Sequence, residues 1–305
     1  MSRVWMAPRY GGPEVLELRE EAERAPGPGE LAVRVVAIGV NPADAKLVAG
    51  QRSADPEALP IVPGFELSGV VEAVGSGAPF SPGDRIVAFR VFGAYRERAV
   101  VPARNAFVVP PALGMAEAAG LLLAATAAAA GLHHVQAGRG DVILVHGMSG
   151  VVGESVLHQA AVIGAQVVGG ARVEDHERLR ALGAIPLVTV TTESVLAATG
   201  HVDASLDLVG APELTAVSVA LVPAARRVAL VGSPDPETPV VSSLSPETNA
   251  YRDSMRGPLI ELAASGAHPV RIGMRVPFEE APAAMARSVE RPSPGTIVIE
   301  THATV

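Results

Sequence analysis

The stretch Asp141-Val-Ile-Leu-Val-His146-Gly147-Met-Ser-Gly150-Val-Val-Gly153 decides how this chain folds. A short apolar run enters a turn whose glycines are spaced three apart, and a helix-compatible stretch from Glu154 to Ile163 follows. Strand, glycine turn and helix in that order build an anion site. Backbone N–H groups at the helix N-terminus point outward, and the helix dipole favours a diphosphate there. The spacing is Gly-x-x-Gly-x-x-Gly rather than Gly-x-Gly-x-x-Gly, so by itself it also fits a tight strand-to-helix turn with no ligand.

On either side of this stretch, strands and helices alternate. An alanine-rich helix runs from Met115 to Val135, and Gly138-Arg-Gly-Asp141 turns into the motif strand. Beyond helix 154–163 come a strand at Gln166–Val168, a helix from Glu174 to Leu182, strands at Val202–Val209 and Arg227–Gly232, and a helix over 212–222 between them. Such alternation makes parallel strands with right-handed crossovers, so the fold class is α/β with a doubly wound parallel sheet that binds a nucleotide.

Residues 1 to about 110 read differently. Leu31–Ile38 and Gly69–Val74 are short strands, and Pro26-Gly-Pro-Gly29, Ser81-Pro-Gly-Asp84 and Pro110-Pro111 are breaks. Short strands with frequent turns predict a small barrel or partly open sheet. After Gly232 the pattern gives a proline-rich run, a helix from about Arg252 to Ala264, a strand near Val270, a helix from Glu279 to Glu290 and a terminal strand Gly295–Glu300. No internal repeat is present.

Composition narrows the function. The 305 residues are 49% hydrophobic and 18% charged, which is globular and large enough for two domains. The formal net charge of -8 excludes a phosphate-backbone binder, so no nucleic-acid partner is expected. With no cysteine, disulfides, thiolate zinc sites and cysteine nucleophiles are excluded. The N-terminal Met-Ser-Arg-Val-Trp-Met lacks the apolar core of a signal peptide, and the apolar stretch Ala118–Leu132 is too short for a membrane span. The expectation is a cytoplasmic protein without a membrane partner.

Four segments in this order resemble the medium-chain dehydrogenase/reductase superfamily, in its zinc-independent quinone oxidoreductase-like branch. They are Gly39-Val-Asn-Pro-Ala-Asp-Ala-Lys46, Pro63-Gly-Phe-Glu-Leu-Ser-Gly-Val-Val71 leading to Pro82-Gly-Asp-Arg-Ile-Val87, the glycine motif, and Gly295-Thr-Ile-Val. The resemblance implies a GroES-like β domain over residues 1–117, a Rossmann domain over 118–250 and a return to the catalytic domain over 251–305. It also implies a cofactor cleft between the domains. Zinc-dependent relatives carry Cys where Asn41 stands and His where Phe65 stands, and Asn and Phe leave no metal site around Glu66.

The second strand ends in Val168-Gly-Gly-Ala-Arg172, with no acid for a ribose and an arginine whose planar fork suits a 2′-phosphate. The expected cofactor is therefore NADP(H). His176 stands where relatives carry a phosphate-reaching lysine. Two other readings stay open: Arg172 and His176 as plain surface residues, and Glu174 or Asp175 serving a ribose and reversing the preference. The resemblance places Thr126 on the nicotinamide side and Gly147, Ser149, Gly150, Val151 and Gly153 around the diphosphate. It places Val209, Val231 and Gly232 at the strand ends that pass the riboses. Against Thr126 stands the reading of a core threonine bonded to its own helix. His133 and His134 read as surface residues at a helix end, and His146 as packed or near the cofactor.

The implied activity is hydride transfer to a small-molecule quinone or α,β-unsaturated carbonyl. An enoyl-thioester reductase and a nucleotide-binding protein with little catalysis are the alternatives. Asn41 is the candidate donor to the developing oxyanion and Lys46 the second, against a solvated lysine. Phe65, Phe92 and Tyr95 are the candidate aromatic walls of the acceptor pocket. Val240–Leu244 is read as an edge strand shortened by neighbouring prolines, through which relatives form a homodimer.

Overall fold

Val142–His146 becomes the centre of a five-stranded parallel sheet. Its order is Ile185–Leu187, Gln166–Gly170, Val142–His146, Ala204–Asp207 and Val228–Leu230. All five residues of the central strand are buried, as a parallel strand covered on both faces requires. Ile143 and Val145 pack one way with Met148, Val156, Leu157 and Leu206; Val142 and Leu144 pack the other way with Val168, Val195 and Val228. The chain moves outward from the central strand on one side, then returns to its other side. The glycine turn therefore leaves the sheet at the point where strand order reverses, the place where such sheets bind ligands.

The computed structural model describes residues 1–51, 54–222, 227–230, 246–290 and 295–301. They divide into two units, Met1–Leu123 with Val270–Val305, and Ala124–Pro269. The return to the first unit thus comes at Val270, not at 251. Helices Pro246–Ser254 and Arg256–Ala264 stay with the parallel sheet, where Arg252 donates to Thr126 and His268 meets Ser155 at 2.6 Å. In the parallel-sheet unit, two further elements escaped the sequence reading. Ile185–Leu187 is a three-residue edge strand containing Pro186, and Thr192–Thr199 is a short polar helix capped by Thr191.

In the first unit, Glu30–Val40 alternates buried and half-buried positions and is the hub of a seven-stranded sheet among the described residues. It pairs antiparallel with Glu66–Val74, Arg98–Pro102 and Thr296–Glu300. Ile272–Pro277 adds to Thr296–Glu300 in parallel, so the C-terminal strands close this sheet. The Trp5 indole donates to the Phe278 carbonyl at 2.8 Å, tying the returning chain to the first strand, Ser2–Met6. The alanine-rich helix is two pieces, Met115–Ala119 and Leu122–His134. Gly120 is a weak helix former, and the Glu66 carboxylate accepts from Leu123 N at 2.9 Å, starting the second piece. No helix among the described residues is long and apolar enough to cross a membrane.

Leu144 is fully buried in the central strand. Leu144→Ala should lower stability by about 2–5 kcal/mol, because the cavity it leaves in a close-packed sheet cannot fully collapse. The check is a lower urea midpoint at unchanged slope.

Candidate functional site

Gly147 turns the chain at φ +81°, a left-handed conformation that a side chain disfavours. Met148 is fully buried and anchors the loop. Gly150 is extended and begins the helix Val151–Ile163, whose first ladder bond runs from Glu154 N to the Gly150 carbonyl at 2.8 Å. The N–H groups of residues 151–153 precede that bond, so the helix itself gives them no acceptor. A Cβ on Gly153 would sit 2.4 Å from the Gly147 carbonyl oxygen and 2.4 Å from Met148 Cα. Only a bare Cα lets the helix start this close to the strand. Ser149 Oγ is buried with no hydrogen-bond partner. A hydroxyl without a partner beside three outward N–H groups fits a diphosphate oxygen.

The neighbouring strand end supports this turn. Asp207 accepts from Val209 N (2.9 Å), Gly210 N (2.8 Å) and Thr215 Oγ1 (2.7 Å). That holds Val209 beside the turn, where a Cβ on Gly147 would lie 3.0 Å from its methyl. His146 is packed: its Nε2 lies 2.8 Å from Ser218 Oγ, which lies 2.8 Å from Ser205 Oγ. Burial pushes the imidazole below its ordinary pKa despite nearby Asp207. Val231 and Gly232, and the strand expected at Val240–Leu244, lie outside the described residues.

At the end of Gln166–Gly170, Arg172 is half-exposed and donates from Nε (3.2 Å) and Nη2 (3.0 Å) to Asp175 Oδ2. Arg178 donates to Asp175 Oδ1 at 2.9 Å and reaches Glu154 at 3.0 Å. His176, expected to reach a phosphate as a lysine would, is buried instead. Its Nε2 lies 3.1 Å from the Ala171 carbonyl, so the ring braces the strand end. Thr126 is also fully buried, and its hydroxyl oxygen accepts from Arg252 Nε (3.2 Å) and Nη2 (3.0 Å). A cavity of about 750 Å³ elsewhere in this unit is lined by residues such as His133, Gln159 and Tyr251, and no residue of the glycine turn contributes to it. Exposed His133 stacks on Tyr251 there, with centroids 3.8 Å apart.

In the first unit, Asn41 is buried before the helix Pro42–Val48. Its amide donates to Glu66 Oε1 at 3.0 Å, and its second hydrogen has only the Gly39 carbonyl at 3.5 Å. Phe65 is buried and meets Phe92 edge-on, with centroids 5.6 Å apart; Phe92 is 80% exposed. Tyr95, expected beside them, is a core residue instead. It is fully buried, and its hydroxyl donates toward Asp44 Oδ2 at 3.4 Å. Lys46 is exposed on the last turn of its helix. No group of three or more His, Asp or Glu side chains converges among the described residues.

Sequence reasoning missed Asp44. It is fully buried, accepts from Asn41 N at 2.8 Å, and leaves Oδ1 without a partner. Burial, with the Glu66 charge nearby, pushes its pKa up to about 8, so it is a neutral acid at pH 7. Because the folded-state pKa is raised, its contribution to stability is complete below the ordinary carboxylate range. That contribution is lost as pH rises through about 8. Asp44→Asn mimics the neutral acid and cannot ionise. Between pH 6 and pH 9 its melting temperature should therefore gain several degrees relative to the unsubstituted protein; equal slopes in differential scanning calorimetry would contradict this.

Residues 27–111 match the alcohol dehydrogenase GroES-like domain. The chain is 36% identical to a rat quinone oxidoreductase over 174 residues, covering 56% of this chain and 53% of that one. It is 32% identical to an Arabidopsis chloroplastic NADPH-dependent alkenal/one oxidoreductase over 221 residues, covering 68% and 57%. The chain spans about half the length of the quinone oxidoreductases it matches. A mycobacterial protein solved in complex with NADPH superposes with a TM-score of 0.83 at 29% identity, covering 98% of this chain and all of that one. Escherichia coli quinone oxidoreductase shares the fold with a TM-score of 0.85 at 23% identity, covering 98% and 100%. In its parallel sheet, its GroES-like domain and these relatives, the chain is similar to the quinone oxidoreductases of the medium-chain dehydrogenase/reductase superfamily.

Proposed function

We propose that this chain is an NADPH-dependent reductase that delivers hydride to a quinone or an α,β-unsaturated carbonyl without zinc. The observation that carries the reading is the turn at 147–153, where a bare Gly153 and an unpartnered Ser149 hydroxyl frame a helix N-terminus. Gly147, Ser149, Gly150, Val151 and Gly153 would hold the diphosphate, Val209 would border a ribose, and Arg172 would meet the 2′-phosphate. Thr126, whose hydroxyl oxygen accepts twice from Arg252, would lie on the nicotinamide side. The relative of known NADPH dependence and the mycobacterial NADPH complex support this choice of cofactor.

The bound dinucleotide supplies the hydride from its dihydronicotinamide C4. The chain's own residues select and polarise the acceptor. Exposed Phe92, set edge-on to Phe65, offers an aromatic wall to a planar ring. Asn41, oriented by Glu66, has a second amide hydrogen for the oxygen on which charge develops. Asn and Phe at positions 41 and 65 give a metal nothing to bind but Glu66, so polarisation falls to hydrogen bonding. The final proton comes from water.

The direct test is NADPH oxidation against quinones, enones and enoyl thioesters. Turnover of quinones or enones is expected, selective turnover of enoyl thioesters would move the assignment to acyl chains, and tight NADPH binding with no turnover would make it a binding protein. Gly153→Ala should weaken NADPH at least about tenfold (~1.4 kcal/mol). The reason is that its methyl must displace backbone at the diphosphate turn. Calorimetric titration, with the urea midpoint measured alongside, separates this loss from unfolding.

A further inference from the structure

Asp175 is the acid at the end of the second parallel strand that the structure encloses. It is 6% exposed and closes the short turn Val173–Asp175 that leads into the helix His176–Ala181. Its Oδ2 accepts two N–H groups from Arg172, and its Oδ1 accepts one from Arg178. Burial would push this carboxyl up, but the hydrogen bonds from Arg178 and Arg172 hold it below the usual carboxylate range. Its lone pairs are thus engaged by two arginines, and it is poorly placed to take ribose hydroxyls as an exposed acid at this strand end would.

A guanidinium gripped through Nε and one Nη has lost its freedom of rotation. The rest of the Arg172 fork faces solvent, since its side chain is 44% exposed while that of Asp175 is 8% exposed. The pair is therefore anchored on its inner side and presents its cationic side outward. Glu174 also lies 3.5 Å from Arg172, but its side chain is 69% exposed and screened by water. Arg178 continues the chain of contacts to Glu154, in the first turn of the helix that leaves the glycine motif.

We propose that Asp175 is a positioning residue for cofactor selection: it fixes the Arg172 fork so that its free edge meets the 2′-phosphate of NADPH. An acid in this region, which would ordinarily favour NAD, here serves the opposite preference by acting through an arginine. The inference rests on the NADPH reading above.

The test compares binding of two cofactor fragments, 2′,5′-ADP and 5′-ADP, by calorimetry, so it does not depend on turnover. The unsubstituted protein should prefer 2′,5′-ADP. Asp175→Asn and Arg172→Ala should each lower affinity for 2′,5′-ADP about tenfold (~1.4 kcal/mol) and leave 5′-ADP within about twofold. The double variant should be no worse than Arg172→Ala alone, because both changes remove one coupled interaction. Arg172→Lys retains the charge but cannot make the two-pronged bond, and should lose most of the preference. It serves as the probe if Asp175→Asn does not fold. If Arg172→Ala leaves the preference intact, the NADPH reading of Arg172 fails. If Arg172→Ala abolishes it while Asp175→Asn or Arg172→Lys retains it, positioning by Asp175 is overturned and the NADPH reading survives. Equal weakening of both fragments by Asp175→Asn would mark a purely structural role and also overturns it.

Discussion

The approach of Gly153 to the backbone of Gly147 and Met148 is the constraint on which the rest of the second unit depends. A helix can begin directly at the end of the central strand only if no Cβ stands between them. Once it begins there, its first N–H groups and its dipole face the crevice where strand order reverses. Met148 seals the turn from inside, and Asp207 builds the adjoining strand end from two backbone N–H groups and a threonine. The outward N–H groups at this turn are a consequence of close packing and owe nothing to a charged side chain.

The first unit meets a different constraint, which is keeping carboxyl groups inside. Glu66 accepts from the Asn41 amide and from Leu123 N, so both its oxygens receive neutral donors. Asp44, a few residues from Asn41, is fully buried with both donors on Oδ2, and burial pushes its pKa up to about 8. The same Glu66 that steadies Asn41 starts the helix at Leu122, so the side chain read as an acceptor-binding group is built into the fold. A change at Glu66 would therefore act on stability and site together.

Much of this was legible in the sequence because it is local. Asp141–Gly153 reads as strand, turn and helix from its apolar run and glycine spacing, and the parallel sheet follows from the alternation after it. Elements set by distant partners were not legible. The break at Gly120 depends on Glu66, far away in the chain, and the edge strand at Ile185–Leu187 is too short and too interrupted by Pro186 to show a period. Composition could not sort the aromatics: Tyr95 entered the core while Phe92 stayed outside. The run Arg172, Asp175, Arg178 did carry a readable signal, opposite charges three apart entering a helix, which pairs side chains on one face.

Those three residues join the glycine turn to the end of the next strand in the second unit. Glu154 lies in the first turn after the glycine motif and Arg172 at the end of the next strand, and Arg178 with Asp175 closes the distance between them. Exposed ion pairs contribute little to stability, but Asp175 is buried and bonded to both arginines, so the network's value lies in fixed geometry. With its pKa depressed, Asp175 stays charged across the neutral range, and the stability it contributes is lost only as pH falls below the ordinary carboxylate range. A guanidinium held by such an anchor does not have to be ordered again when a phosphate arrives. The entropy of orienting it is already met in the folded chain, which is how, under the proposed reading, a single arginine beside two acids would still favour an anion.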